Sequence, residues 1–146
     1  MYEVREHKPV YTSIQMAKFL GTDEDRIAKS MILKSGKDHF LAVLPGKLRI
    51  DFGKLDTILD TKSVCLAPAS EAEDIAECSV GSVHPFGNLI NCRTYFEKEL
   101  LTSDYVFFNP SSHTKSIRIK TTDLVELVKP SIIEFAKPPS TEQIHL

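Results

Sequence analysis

The residues best suited to chemistry lie in three stretches. Gly81-Ser82-Val83-His84-Pro85-Phe86-Gly87 sets two glycines and a proline between apolar runs, so the backbone must bend where a strand would otherwise continue. Such a bend is either a plain turn or a ligand site. In the second case Gly81 lets a ligand reach the main chain, Pro85 fixes the bend, and backbone N–H groups face an incoming oxygen. Lys29 heads the apolar run Met31-Ile32-Leu33, where it is either a snorkelling strand-edge lysine or a cation placed for a purpose. The third stretch, Asn109 to Ile117, carries Ser112-His113 in a polar turn. Cys78 is near Gly81 in sequence and raises a thiol nucleophile, against which stands the usual burial of free cysteine. No Gly-x-Ser-x-Gly elbow, Walker loop, dinucleotide fingerprint or His-Glu-x-x-His helix is present, so the common hydrolase, nucleotide and protease signatures are missing.

These stretches need a scaffold. Thr12-Ser13 ahead of Ile14, Met16, Ala17, Phe19 and Leu20, with Gly21 behind, predicts a capped helix over Ser13 to Leu20. Met31-Ile32-Leu33 and His39 to Leu44, joined by Ser35-Gly36-Lys37-Asp38, predict a hairpin that Pro45-Gly46 closes. Helical spacing returns over Asp51 to Leu59, and Lys62 to Leu66 reads as a short strand. Ser70 and Glu73 have the order of a capping box for a helix to about Glu77. Leu89 to Tyr95, Tyr105 to Phe108 and Ile117 to Lys120 read as strands, the last two as a hairpin. Asp123 is placed to cap a final helix that stops before Pro130. The expected fold is α+β: one domain over residues 1–136, a mixed and mostly antiparallel sheet with short helices packed around it, then a loose tail over 137–146.

Composition narrows the function classes. A chain of 146 residues, 42% hydrophobic and 26% charged, suits a single globular core. No apolar run is long enough for a membrane span and the first residues lack the order of a signal peptide, so a soluble, cytoplasmic protein is expected. Three widely spaced cysteines and five scattered histidines argue against a disulfide framework and a metal site. No metal or cofactor is expected. The net charge of −2 speaks against a general nucleic-acid-coating protein. From Arg26 to Lys54, however, seven cations (Arg26, Lys29, Lys34, Lys37, Lys47, Arg49, Lys54) face only Asp38 and Asp51, a local +5. That segment is either a solvated lysine-rich face or a surface for a few phosphates.

Taken in order, five motifs resemble the YbaK-like aminoacyl-tRNA deacylases, a family that includes the editing domain inserted in bacterial prolyl-tRNA synthetases. They are Lys29-Ser30 entering an apolar strand, Val43-Leu44-Pro45-Gly46, Leu66-Ala67, the Gly-x-x-x-Pro signature from Gly81 to Pro85, and Ser112-His113 before Ile117-Arg118-Ile119. The resemblance runs from about Ser13 to Val128. It implies hydrolysis of the ester that joins a wrong amino acid to the terminal adenosine of a tRNA. It makes Lys29 the essential lysine and Gly81 the catalytic backbone position, and it assigns Ser30, His84, Pro85, Ser112 and His113 to the substrate pocket. Lys29 as an ammonium could hold the terminal phosphate or the developing oxyanion; as a neutral amine it could help a water attack. The cationic role is the expected one. One departure concerns the pocket rim, where many relatives have a glycine just before the serine-histidine pair and this chain has Asn109-Pro110-Ser111.

Two function classes follow. The first is a free-standing deacylase acting on the acceptor end of misacylated tRNA, with a synthetase as a candidate partner that supplies tRNA specificity. Its test is loss of hydrolysis in Lys29→Ala with little change in stability. The second is a non-catalytic module that binds an aminoacyl-adenosine end or a synthetase, and the unusual rim is its motive. Hydrolysis of small esters unrelated to tRNA is a third, weaker class.

Overall fold

A computed structural model describes residues 2–139. In chain order the elements are β1 (Tyr2–Glu6), α1 (Ser13–Leu20), β2 (Ala28–Ser35), β3 (Asp38–Pro45), β4 (Arg49–Ile50), α2 (Phe52–Leu59) and β5 (Cys65–Leu66). Then come α3 (Ala69–Ala76), β6 (Arg93–Glu97), β7 (Tyr105–Phe108), β8 (Lys115–Lys120), α4 (Thr121–Val128), β9 (Ser131–Ile133) and β10 (Ala136–Lys137). The main sheet has the order β5-β2-β3-β6-β9, with β3-β6 and β6-β9 parallel and the rest antiparallel. A second antiparallel sheet has the order β1-β8-β7, and β4 pairs with β10. The class is α+β, as expected.

β3 is the centre. Leu41 and Val43 point into one core, with Phe96, Leu100 and Leu124; Phe40, Ala42 and Leu44 point into another, with Leu55, Tyr95 and Phe135. Side chains on a strand alternate between faces, so a strand buried on both reads as an unbroken apolar run. A third, smaller cluster under α1 joins Val10, Met16, Ala17, Ile27 and Phe107.

The helix over Ser13–Leu20 forms as the sequence predicts: Thr12 Oγ1 accepts the Gln15 N–H at 3.1 Å, and Gly21 closes the helix at φ +65°. The β2-β3 hairpin turns through Gly36 at φ +62°, a conformation glycine adopts without strain. Other expectations shift. α3 begins at Ala69 behind Pro68, whose fixed φ suits a helix entrance, so Ser70 already lies inside the helix and makes no cap. α4 begins at Thr121, which leaves Asp123 in its first turn; Thr121 Oγ1 donates to Ser103 O at 2.6 Å. Only Cys65–Leu66 of the expected Lys62 to Leu66 strand is paired. β6 starts at Arg93 because the chain first turns at Gly87, whose O accepts the Cys92 N–H at 2.9 Å; a Cβ there would stand 1.7 Å from Thr94 Oγ1.

Four strands were not expected: β1, β4, β9 and β10. β1 is largely exposed but pairs with β8 along its whole length, setting Glu3 opposite Arg118 and Glu6 opposite Lys115. β9 and β10 are held through Glu97, which is only 3% exposed. Its Oε1 accepts the N–H groups of Phe135 (2.9 Å) and Ala136 (3.0 Å), and its Oε2 accepts that of Glu99 (2.6 Å). Lys137, where a loose tail was expected to begin, pairs with Arg49; the expected tail from residue 140 lies outside the described residues. Among the described residues no helix is long and apolar enough to cross a membrane.

Candidate active site

The site begins with a gap in the hydrogen bonding of β2. Gly46 N–H donates to Ile27 O (2.7 Å) on the β3 side, and Ala67 N–H donates to Ile32 O (3.0 Å) on the other. In an antiparallel ladder this means that odd-numbered residues of β2 turn their backbone groups toward β3 and even-numbered ones away. On that outer edge β2 meets β7 through one bridge, Ile27 to Phe107, and meets β5 only from Leu33 onward. Among the described residues no strand covers the edge between. Ser30 is the even-numbered residue at its middle, and its N–H and C=O are directed outward.

An open cavity of about 290 Å³ fills the gap. Its walls are the β2 edge with Lys29 and Ser30, the entrance of α1 with Tyr11 and Thr12, the apolar side chains of Ile32, Ala67, Ala72 and Val83, and the turn carrying Gly81. Lys29 and Gly81, 52 positions apart in the chain, thus share one cavity. Val80–Ser82 is a single tight turn in which Ser82 N–H bonds to Ser79 O at 2.9 Å, so the N–H groups of Val80 and Gly81 precede its first bond. Gly81 is exposed, and a Cβ there would lie 3.3 Å from His113 Cε1 and 3.5 Å from Tyr11 O. Without that methyl, a ligand can reach the backbone.

Lys29 is half-buried. Its Nζ donates to Gly46 O (3.2 Å) and Leu48 O (2.5 Å), carbonyls of the turn between β3 and β4. Burial pushes its pKa below the ordinary lysine value, Glu24 pulls it back up, and Arg49 pushes it down again. Lys29, Thr12 and Ser13 also line a second groove that continues past Lys47 and Arg49. The cations of the +5 segment therefore divide. Lys47 is paired with Asp25 at 2.8 Å and Lys34 with Glu71 at 3.1 Å, whereas Arg49 is exposed at the groove. The two carbonyl bonds of Lys29 bear on the expectation that Lys29→Ala changes stability little, since removing Nζ removes both.

His113 stands at the shoulder of Gly81. Its Nδ1 is 3.0 Å from Val10 O, and because a carbonyl only accepts, Nδ1 carries a proton, which in the neutral ring leaves Nε2 as an acceptor. Its ring packs on Tyr11 with centroids 4.6 Å apart. Tyr11 escaped the sequence reading. It is 62% exposed and lies immediately before the helix cap, where Gln15 Oε1 accepts its N–H at 2.9 Å. The signal available was an aromatic residue directly before a Thr-x-x-Gln capping pattern.

His113 and the remaining expected site residues lie outside the cavity walls. His84 is half-buried, packs on Phe86, and accepts the Phe86 N–H on Nδ1 at 3.1 Å; burial lowers its pKa. Pro85 is buried and shapes the same turn. Ser112 Oγ is bonded within its own loop, to Thr114 N–H and Oγ1, both at 3.1 Å. Cys78 packs against the main core. At the rim, Ser111 adopts φ +60°, the left-handed conformation that glycine would take, and Asn109 Nδ2 donates to Gly81 O at 3.3 Å. The chain departs from the glycine pattern and still makes the turn.

Residues 7–127 match the model of the aminoacyl-tRNA editing domain. The chain belongs to that family. Relatives include the prolyl-tRNA editing protein ProX of Acetoanaerobium sticklandii, 27% identical over 88% of this chain and 82% of that one. The multifunctional Ser/Thr-tRNA deacylase ProXp-y of Escherichia coli K12 is 23% identical over 93% of this chain and 84% of its own. The proline–tRNA ligase of Caldicellulosiruptor bescii is 31% identical over 86% of this chain, which spans 23% of the ligase. A solved structure described as a candidate trans-editing enzyme for prolyl-tRNA synthetase superposes with a TM-score of 0.85 at 21% identity, over 93% of this chain and 87% of that one. In this member of the family the gap in β2 opens onto the cavity that holds Lys29 and Gly81.

Proposed function

We propose that this protein deacylates misacylated tRNA in trans, in the cytoplasm, by hydrolysing the aminoacyl ester at the terminal adenosine. The observation that carries this reading is that Lys29, the uncovered edge at Ser30 and the bare backbone at Gly81 share one cavity. Water adds to the ester carbonyl, negative charge gathers on its oxygen, and the ribose oxygen leaves with a proton. The backbone N–H groups at Gly81 and the Lys29 ammonium are the donors suited to that charge, and a fixed donor of this kind contributes about 10²–10³ in rate. Burial lowers the Lys29 pKa, while Glu24 and the two carbonyls that accept from Nζ favour the ammonium.

The acceptor end enters over Tyr11, whose exposed ring, backed by His113, offers a stacking face for the adenine. His113 Nε2 is an acceptor for the substrate's amino group, and Arg49 in the adjoining groove is placed for a backbone phosphate. The test is single-turnover deacylation of alanyl-, seryl-, threonyl- and cysteinyl-tRNA by the wild type and a Lys29 variant side by side. Hydrolysis that disappears in the variant supports the assignment. Binding of an uncleavable aminoacyl-adenosine with no turnover of any ester would replace the enzyme with a binding module.

A further inference from the structure

Ser30 has a second unusual feature besides its uncovered backbone. Ser30 is 8% exposed, and its buried Oγ has no hydrogen-bond partner. Buried hydroxyls are nearly always bonded, so an orphan in a cavity wall marks a place where a ligand completes the bond. The protein cannot complete it locally. Ser30 shares its strand face with Ala28 and Ile32, and Ala67, Ala72 and Val83 complete that part of the core and cavity. An incoming group must bring its own donor or acceptor.

The strand geometry sets two directions at Ser30. Its N–H and C=O project along the open edge, suited to the ester carbonyl and α-ammonium of an aminoacyl group respectively, while Oγ projects from the strand face toward the apolar wall, where that group's side chain would go. Resting on the deacylase reading above, we propose that Ser30 is a specificity-determining residue and that the cavity selects an aminoacyl group with a β-hydroxyl, serine or threonine, over alanine. The substrate hydroxyl bonds to Ser30 Oγ. Alanine fills the same space and leaves Oγ unpaired, and a site built to bond a substrate hydroxyl discriminates against the analogue that lacks it. An ammonium side chain finds no counter-charge on the apolar wall. For one neutral hydrogen bond the preference is about ten- to a hundredfold in kcat/KM.

The experiment compares one tRNA charged with serine, threonine or alanine, using wild type, Ser30→Ala and Ser30→Thr. In parallel, binding is measured for the uncleavable seryl and alanyl amides of 3′-amino-3′-deoxyadenosine. The wild type is expected to favour seryl and threonyl esters by about ten- to a hundredfold. Ser30→Ala should bring the seryl-to-alanyl ratio to within about threefold, with no loss of thermal stability because no intramolecular bond is removed; Ser30→Thr, which keeps a hydroxyl, should retain the preference. An alanyl preference in the wild type, or an equal loss on all three esters in Ser30→Ala, overturns the assignment. Discrimination between the two amides without turnover of any ester would sink the deacylase reading and leave the selective pocket standing. Equal binding of the amides overturns the pocket itself.

Discussion

Replacing Lys29 by methionine keeps the aliphatic stem and removes the ammonium, and its consequences separate into two measurable parts. Structurally, the change strips Gly46 O and Leu48 O of the donor they share. A hydrogen bond from a charged donor contributes about 1.5–3 kcal/mol, and the relief of no longer burying a charge offsets part of the loss, so the net cost is about 1–3 kcal/mol. For a chain of this size that lowers Tm by about 3–10 °C and leaves the protein folded at 25 °C. Catalytically, the loss of a charge-stabilising donor should lower single-turnover deacylation by about 10²–10³. The two effects are read on the same preparation, by a thermal melt and by deacylation well below the melt. The wild type also carries a pH signature. If the ammonium acts, the rate corrected for uncatalysed hydrolysis falls as pH rises through the folded pKa of Lys29, which burial sets below the ordinary lysine value; if the neutral amine acts as a base, the rate rises there instead. Over the window between the folded and unfolded pKa the unfolded state binds the extra proton, so wild-type stability gains with pH there and the Lys29→Met variant does not. A folded Lys29→Met variant with deacylation within threefold of wild type would refute the catalytic role and leave Lys29 as a strut for the β3–β4 turn.

Gly81→Ala should leave stability within about 1 kcal/mol, because the backbone there suits alanine and the nearest atoms are 3.3 and 3.5 Å from the new methyl. Its deacylation rate should still fall about 10²-fold, since the methyl occupies the approach to the backbone; normal turnover would show that no ester comes that close. Tyr11→Ala should raise KM for a charged acceptor minihelix about tenfold with little change in kcat, as expected for one lost base stack, and Tyr11→Trp should restore it. Equal KM values across the three proteins would remove the stacking platform. Glu97→Ala leaves the N–H groups of Glu99, Phe135 and Ala136 without their acceptor and should cost about 3 kcal/mol or more in denaturant melts, while a loss below 1 kcal/mol would mean that water replaces the carboxylate.

What could be read from the sequence was whatever is written in neighbouring residues. Thr12, Gln15 and Gly21 define α1, the paired apolar runs around Gly36 define the β2-β3 hairpin, and the aromatic run Tyr105–Phe108 defines β7, because caps, turns and side-chain periodicity act over a few positions. Lys29 and Gly81 could be singled out by residue type and motif order. Their meeting in one cavity, and the site itself, could not, since the site consists of something left out. Met31-Ile32-Leu33 has the same pattern whether or not a strand lies beside it, and here the cover is missing because β5 is only two residues long and β7 touches β2 at one point. The same limit hid β1, β4, β9 and β10, which depend on partners far along the chain: β8 for β1, β6 and Glu97 for β9 and its exit, and β4 and β10 for each other. It also explains why His84, inside the most suggestive stretch of the sequence, lies off the cavity while Tyr11, outside every motif, lines it. A motif marks where the backbone must bend; what the bend faces is decided by which hydrogen bonds the rest of the sheet leaves unmade.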